Sequence, residues 1–245
     1  DRSALVTLSL RGCLRAAMAS ACSSVAQDAF PERRARRRCA ALLENDLLAL
    51  TSGLRPAILL DYAAAGDSAA RAALIAARLR RDTPLKDAAA CTIDGVDFVL
   101  ASVAATKRRA QEQDYTRCLR LDDECAWAEA EDERRVMETV RRCALDACEK
   151  LLEGADTLSY ETELRGAQAT PPTLFGYLLK YPVLYVFADA TRASASLFNV
   201  PLTLFELTQD RSALLPLRGP SFSTPTTVAE TDEMREIIKE WTSSS

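Results

Sequence analysis

Tyr181-Pro-Val-Leu-Tyr-Val-Phe187 is dense in aromatic and β-branched residues, a composition that suits a pleated, half-buried surface and predicts a strand. A polar loop, Asp189 to Ser196, separates it from Val200-Pro-Leu-Thr-Leu-Phe-Glu-Leu207, a second predicted strand. Ala213 to Arg218 reads as a third, ahead of a Pro-, Ser- and Thr-rich stretch from Pro220 to Thr227. A closing helix is expected over Val228 to Trp241, with Met234, Ile237, Ile238 and Trp241 on its apolar side.

Upstream of these strands the chain is mostly helical. Val136, Met137, Val140, Cys143, Ala144, Ala147, Cys148 and Leu151 recur at three-to-four spacing, which predicts a long helix from Asp123 to Glu153, stopped by Gly154. Asp122 to Glu124 and Glu129 to Glu133 place acid at its start, where the macrodipole favours it. Asp94-Gly95, flanked by Ile93, Val96, Phe98 and Leu100, signals a hairpin, with a single bent strand as the other reading. Asp67 and Ser68 can cap a helix over Ala69 to Arg81. Pro56 to Tyr62 is a short apolar run expected to be a buried strand. Before it, Cys39, Leu43, Leu47 and Leu50 mark a helix from Pro31 to Gly53, and another is expected over Ala4 to Ala26.

Helices first and strands later indicate an α+β fold: helices flanking a mainly antiparallel sheet, with a C-terminal strand meander and a final helix. The early strand is expected to join the same sheet. With no repeat or convincing linker, residues 1–245 are expected to form one domain, with 1–30 a peripheral helix and 242–245 a disordered tail.

Composition narrows the chemistry. Of 245 residues none is histidine, so serine and cysteine nucleophile systems with an imidazole base are excluded, as are histidine-ligated zinc and iron sites. No two of the eight cysteines form C-x-x-C, and several fall on apolar helix faces, so they are expected as free, buried thiols in a reducing compartment, cytoplasm or nucleus. The net charge of −4 offers no general attraction to nucleic acid or anionic membrane, and no apolar run is long enough to span a bilayer. Residues 1–40 are rich in Arg, Ala and Ser and poor in acid, mildly like a transit peptide, though an amphipathic helix explains the same composition. With only eight glycines, neither a dinucleotide nor a P-loop phosphate fingerprint is present, and no G-x-S-x-G elbow occurs. No cofactor and no metal site is expected.

Among charged residues, Arg33, Arg34, Arg36, Arg37 and Arg38 stand out. They crowd the first turns of a helix, where the macrodipole disfavours cations, so the patch suits an anionic surface, a phosphate or a nuclear-localisation receptor. A solvated helix face is the simpler reading. Asp61 ends an apolar strand, a place where catalytic or metal-binding carboxylates commonly sit, and it is equally a turn former. Nothing in the sequence brings Asp94 or Asp97 to it.

Leu174-Phe-Gly-Tyr-Leu-Leu-Lys-Tyr-Pro-Val-Leu-Tyr-Val-Phe187, followed by Val200-Pro-Leu-Thr-Leu-Phe205 and preceded by Arg55-Pro-Ala-Ile-Leu-Leu-Asp-Tyr62, resembles a eukaryotic family typified by human chromosome 1 open reading frame 74. Lys180 departs from the pattern, where a small residue is expected. The resemblance implies no assigned activity, cofactor or active site. In the same motif Gly176 permits close packing, Pro182 opens a strand, and Tyr177, Tyr181 and Tyr185 present aromatic bodies with polar tips that could pack in the core or line a peptide groove.

These features point to an interaction module that binds a protein partner through a sheet edge or the loop after Phe187, which carries Asp189 and Arg192, with the arginine patch as a secondary site. The alternative is a histidine-free enzyme with a carboxylate-based site around Asp61, with or without magnesium.

Overall fold

The computed structural model describes residues 17–30, 33–60, 68–100, 103–111, 116–121, 125–187, 200–208 and 218–243. Its central layer is built on α5, Ala130–Leu152, whose buried stripe runs from Val136 through Val140, Cys143 and Ala144 to Cys148. Glu131, Asp132 and Glu133 occupy its first turn, as the macrodipole favours. At its far end Gly154 takes φ 96°, and the Ala155 amide donates to the Lys150 carbonyl at 2.9 Å, closing the helix in a Schellman turn. The helix starts later than expected because Cys125–Trp127 is a strand.

On one side of α5 lies a four-stranded sheet in the order β1-β3-β2-β6, formed by Ala57–Leu59 (β1), Ala89–Ile93 (β2), Val96–Leu100 (β3) and Thr157–Leu158 (β6). Asp94 and Gly95 form the two-residue turn between β2 and β3, with φ of 48° and 81°, the paired positive values of a primed hairpin turn. Both faces of this sheet are covered. Ala57, Cys91, Ile93, Phe98 and Leu100 face α5 and α7 (Pro171–Leu178), while Ile58, Leu60 and Val99 face three N-terminal helices. These are α1 (residues 17–29), α2 (Arg33–Thr51) and α3 (Ser68–Asp82). Two-sided burial explains why β1, and β3 from Phe98 to Leu100, read as continuous apolar runs. The first helix is no peripheral element, since Cys22, Val25 and Ala26 are buried among the neighbouring helices.

A second sheet, β5-β4-β7, packs into the same core cluster with α5 and α7. It contains β4 (Arg117–Leu121) and β5 (Cys125–Trp127), absent from the sequence-based reading, and β7 (Val183–Val186), which pairs parallel to β4. Cys118, Leu184 and Val186 point to the central layer, whereas Leu119, Leu121 and Val183 point to a third cluster. The early strand β1 and the later β7 therefore belong to different sheets, contrary to expectation. Short helices α4 (Val103–Gln111) and α6 (Glu161–Gly166) complete this region.

Beyond β7 the meander is a two-stranded antiparallel ribbon, β8 (Leu202–Thr208) with β9 (Arg218–Pro225). β9 starts where the expected third strand was to end and runs into the Pro-, Ser- and Thr-rich stretch. Register slips between Glu206↔Ser221 and Thr208↔Arg218, leaving Gly219 and Pro220 opposite Leu207. Such a bulge accepts a proline that a regular ladder position would not. The expected third strand from Ala213 otherwise lies outside the described residues. The final helix is divided into α8 (Thr226–Ala229) and α9 (Asp232–Ser243), so Thr242 and Ser243 are helical and not part of a tail.

Candidate functional site

The β8–β9 ribbon sorts its side chains by the two-residue period of a strand. Thr203, Phe205, Phe222 and Thr224 turn inward, while Leu202, Leu204 and Glu206 turn outward beside Ser221 and Ser223. Leu204 is 66% exposed and Leu202 44%, two large apolar side chains adjacent on one face. β8 has one strand neighbour among the described residues, β9, and is an edge strand of that ribbon.

The inner face is held by aromatic contacts. Phe222 stacks on Phe205 at 5.3 Å, meets the edge of Trp241 at 4.9 Å and approaches Tyr181 at 6.4 Å. The Tyr185 hydroxyl donates to the Ser223 carbonyl. Burial, the larger influence, pushes that hydroxyl up to about 12. Tyr181 and Tyr185 thus anchor the ribbon to β7 and lie half-buried against the third cluster. Tyr177 is buried on another face of the molecule: its hydroxyl donates to the Arg109 carbonyl at 3.3 Å, and Arg109 Nε returns a bond to the Tyr177 carbonyl at 3.0 Å. The structure therefore spreads these three tyrosines over two environments.

Arg33, Arg34, Arg36, Arg37 and Arg38 fall in the first turns of α2, and their side chains lie outside the described residues. Asp61, Asp189 and Arg192 also lie outside them. What the structure does bring to Asp61's neighbourhood in the chain is Asp97. The Leu60 amide donates to the Asp97 carbonyl at 2.9 Å, one step beyond the β1–β3 register. Asp97 is buried, accepts a hydrogen bond from Thr92 Oγ1 at 2.5 Å, and lines a cavity of about 320 Å³ shared with Asp156 and the start of α3. Asp94 serves the fold instead, accepting from Ser159 Oγ at 2.7 Å and from the Tyr160 amide at 3.0 Å. Among the described residues no three metal-ligating side chains converge.

The described cysteines are all free thiols. Burial pushes Cys22, Cys143 and Cys148 up to about 11 and Cys91 to about 12, and raises Cys118 further, so these sulfurs stay protonated and unreactive at neutral pH. Among the described residues no helix is long and apolar enough to cross a membrane.

The exposed pair Leu202 and Leu204 was present in the sequence as alternation within the second predicted strand. Which face it occupied required β9, whose prolines concealed it. Searches against curated proteins and against solved structures gave no match. The profile of the domain of unknown function DUF4504 matches residues 29–245, and the chain belongs to that family, in keeping with the motifs at Arg55–Tyr62 and Leu174–Phe205.

Proposed function

We infer that this chain is a protein-interaction module that takes an extended segment of a partner protein along the outer edge of β8. The observation that carries this reading is the coincidence of an edge strand of seven residues with Leu202 and Leu204 exposed on one face. An added strand would gain main-chain hydrogen bonds from the edge, and its alternate side chains would cover the two leucines. Natural edges are usually blunted by lysine or proline, and β8 between Leu202 and Thr208 carries neither.

A peptide suits this surface better than a second copy of the chain. The edge is roughly 23 Å long at ~3.3 Å per residue. Two leucines on a narrow ribbon fall well short of the ~1,200–2,000 Å² that stable interfaces bury, whereas a single strand needs little more than the ladder. The ribbon's inner face is already occupied by Phe222, Trp241 and Tyr185, so binding need not disturb the core. Buried free thiols suit a reducing compartment, cytoplasm or nucleus. In this reading the α2 arginines contribute a secondary contact to an anionic surface of the same partner.

Selection of a displayed random-peptide library on the full chain tests the reading. Enriched peptides should alternate apolar residues, protect β8 amides from hydrogen exchange, and lose roughly tenfold or more in affinity to Leu204→Lys. Enriched peptides that bind Leu204→Lys equally well, or no enrichment at all, would overturn it. A wild-type dimer that Leu204→Lys dissociates would assign the edge to a second copy instead.

A further inference from the structure

Where α2 ends, β1 begins and α4 passes, there is a cavity of about 470 Å³. Four cationic side chains line it, Arg55, Arg108, Arg109 and Lys180, against one carboxylate, Asp87. A second carboxylate, Asp46, pairs with Arg55 Nη1 at 3.3 Å, so among the described residues four cations stand against two acids.

The local fold does not account for this collection. The α2 carbonyls that would attract cations are already engaged: Thr51 Oγ1 donates to Leu47 at 2.8 Å, and the amides of Ser52, Gly53 and Arg55 donate to Leu48, Leu50 and Ala49. Arg108 and Arg109 do sit in the last turn of α4, where the macrodipole favours them. Arg55 lies outside any helix, and although its Nη1 meets Asp46, its Nε is buried with no hydrogen-bond partner. An unmatched buried donor on a cationic wall is a vacancy in the bonding pattern that an acceptor would complete.

Lys180 supplies an independent observation. It occupies the residue after the cap of α7, with its amide bonded to the Tyr177 carbonyl at 3.1 Å and the Tyr181 amide to Gly176 at 2.9 Å. That turn asks for φ above zero, and Lys180 adopts 63°. Glycine would take the position without strain. A strained lysine whose side chain lines a cationic cavity points to use of that side chain. Arg109, only 9% exposed, is positioned in advance by its bond to the Tyr177 carbonyl and by lying 4.8 Å over the Tyr177 ring.

We propose that this cavity binds a small phosphorylated molecule, with the Arg55 and Arg109 guanidinium groups taking phosphate oxygens and Lys180 and Arg108 neutralising the remaining charge. Guanidinium forks match phosphate geometry in two-point contacts. The volume lies in the ~300–1,000 Å³ range of small-molecule pockets, and Pro56, Pro84 and Leu85 supply apolar wall for the rest of the ligand.

The test is calorimetric and thermal-shift titration of the full chain with inorganic phosphate, pyrophosphate and adenosine monophosphate, at matched ionic strength. Saturable binding and a raised melting temperature are expected with at least one of the three. Arg55→Gln should weaken it roughly tenfold, the loss of one charge-assisted hydrogen bond. Lys180→Gly should weaken it while raising the melting temperature of the ligand-free protein, a split that a purely structural lysine would not produce. Absence of saturable binding, the same shift from sodium chloride alone, or unchanged affinity in both variants would overturn the proposal. So would binding of a phosphorylated peptide with none of the small phosphates.

Discussion

The hydroxyl of Tyr185 on β7 donates to the backbone carbonyl of Ser223 on β9, and this bond joins the second sheet to the C-terminal ribbon. Neither strand pairs with the other in a ladder, so the ribbon is seated by this bond and by the ring contacts of Phe222. Tyr185→Phe keeps the ring and removes the donor. The expected loss is about 1 kcal/mol of stability, with faster hydrogen exchange confined to β8 and β9. Faster exchange spread equally over α5 would contradict this seating.

Glu133 performs a similar service at the start of α5. Its Oε2 accepts from Arg117 Nε at 2.8 Å and from the Cys118 amide at 3.0 Å, while Arg117 Nη1 reaches Glu233 on α9 at 2.8 Å. Glu133→Ala leaves a strand amide and a half-buried guanidinium without that acceptor. The cost is expected near 2 kcal/mol, and Glu133→Gln should recover part of it by still accepting from Cys118. Equal denaturant midpoints for wild type and Glu133→Ala would remove the pairing from any account of stability.

Backbone strain at two helix ends should respond in opposite directions. Gly154→Ala forces a side chain into φ 96° and should cost about 1 kcal/mol. Lys180→Gly relieves φ 63° and should gain a similar amount, about 1 kcal/mol, in the absence of ligand. Paired thermal melts check both. A lower melting temperature for Lys180→Gly would mean that the lysine side chain stabilises the fold more than its backbone strains it.

Alkaline pH should destabilise the protein before any arginine titrates. The buried thiols of Cys22, Cys143 and Cys148 are held near 11 and that of Cys91 near 12, against 9.0 in an exposed chain. Because the folded values are raised, the native state keeps protons that the unfolded state releases, and rising pH favours unfolding. The stabilisation is fully present below pH ~9 and declines as pH rises towards the folded values. Urea midpoints at pH 8 and pH 10 measure it, and a midpoint as high at pH 10 as at pH 8 would contradict the burial of these groups.

Short-range patterns in the chain carried much of the fold. Asp94-Gly95 announced its hairpin because a primed turn needs two positive φ values, which few residue pairs adopt readily. Gly53 and Gly154 marked helix ends for the same reason, and the α5 stripe emerged from its period. The missed strands have equally local causes. Arg117–Leu121 breaks its apolar residues with arginines at 117 and 120 and is too short to stand out from its polar surroundings, and Gly219-Pro220 hid β9 behind a bulge. The Asp61 and arginine-patch readings rested on residue type, and geometry was needed to show that Asp97 lies beside Leu60.

By itself the sequence determined the helical and extended segments with strong periodicity, the absence of imidazole chemistry, and membership of a family through motifs whose spacing survives without a structure. Those properties depend on residue type and local dihedral preference. Only the tertiary structure decided that β1 and β7 lie in separate sheets, that Tyr177 is buried while Leu204 is not, and that Arg55, Arg109 and Lys180 share one cavity. Contacts between residues more than a hundred positions apart are selected by which faces can be buried together, a condition on the whole chain that no local window contains.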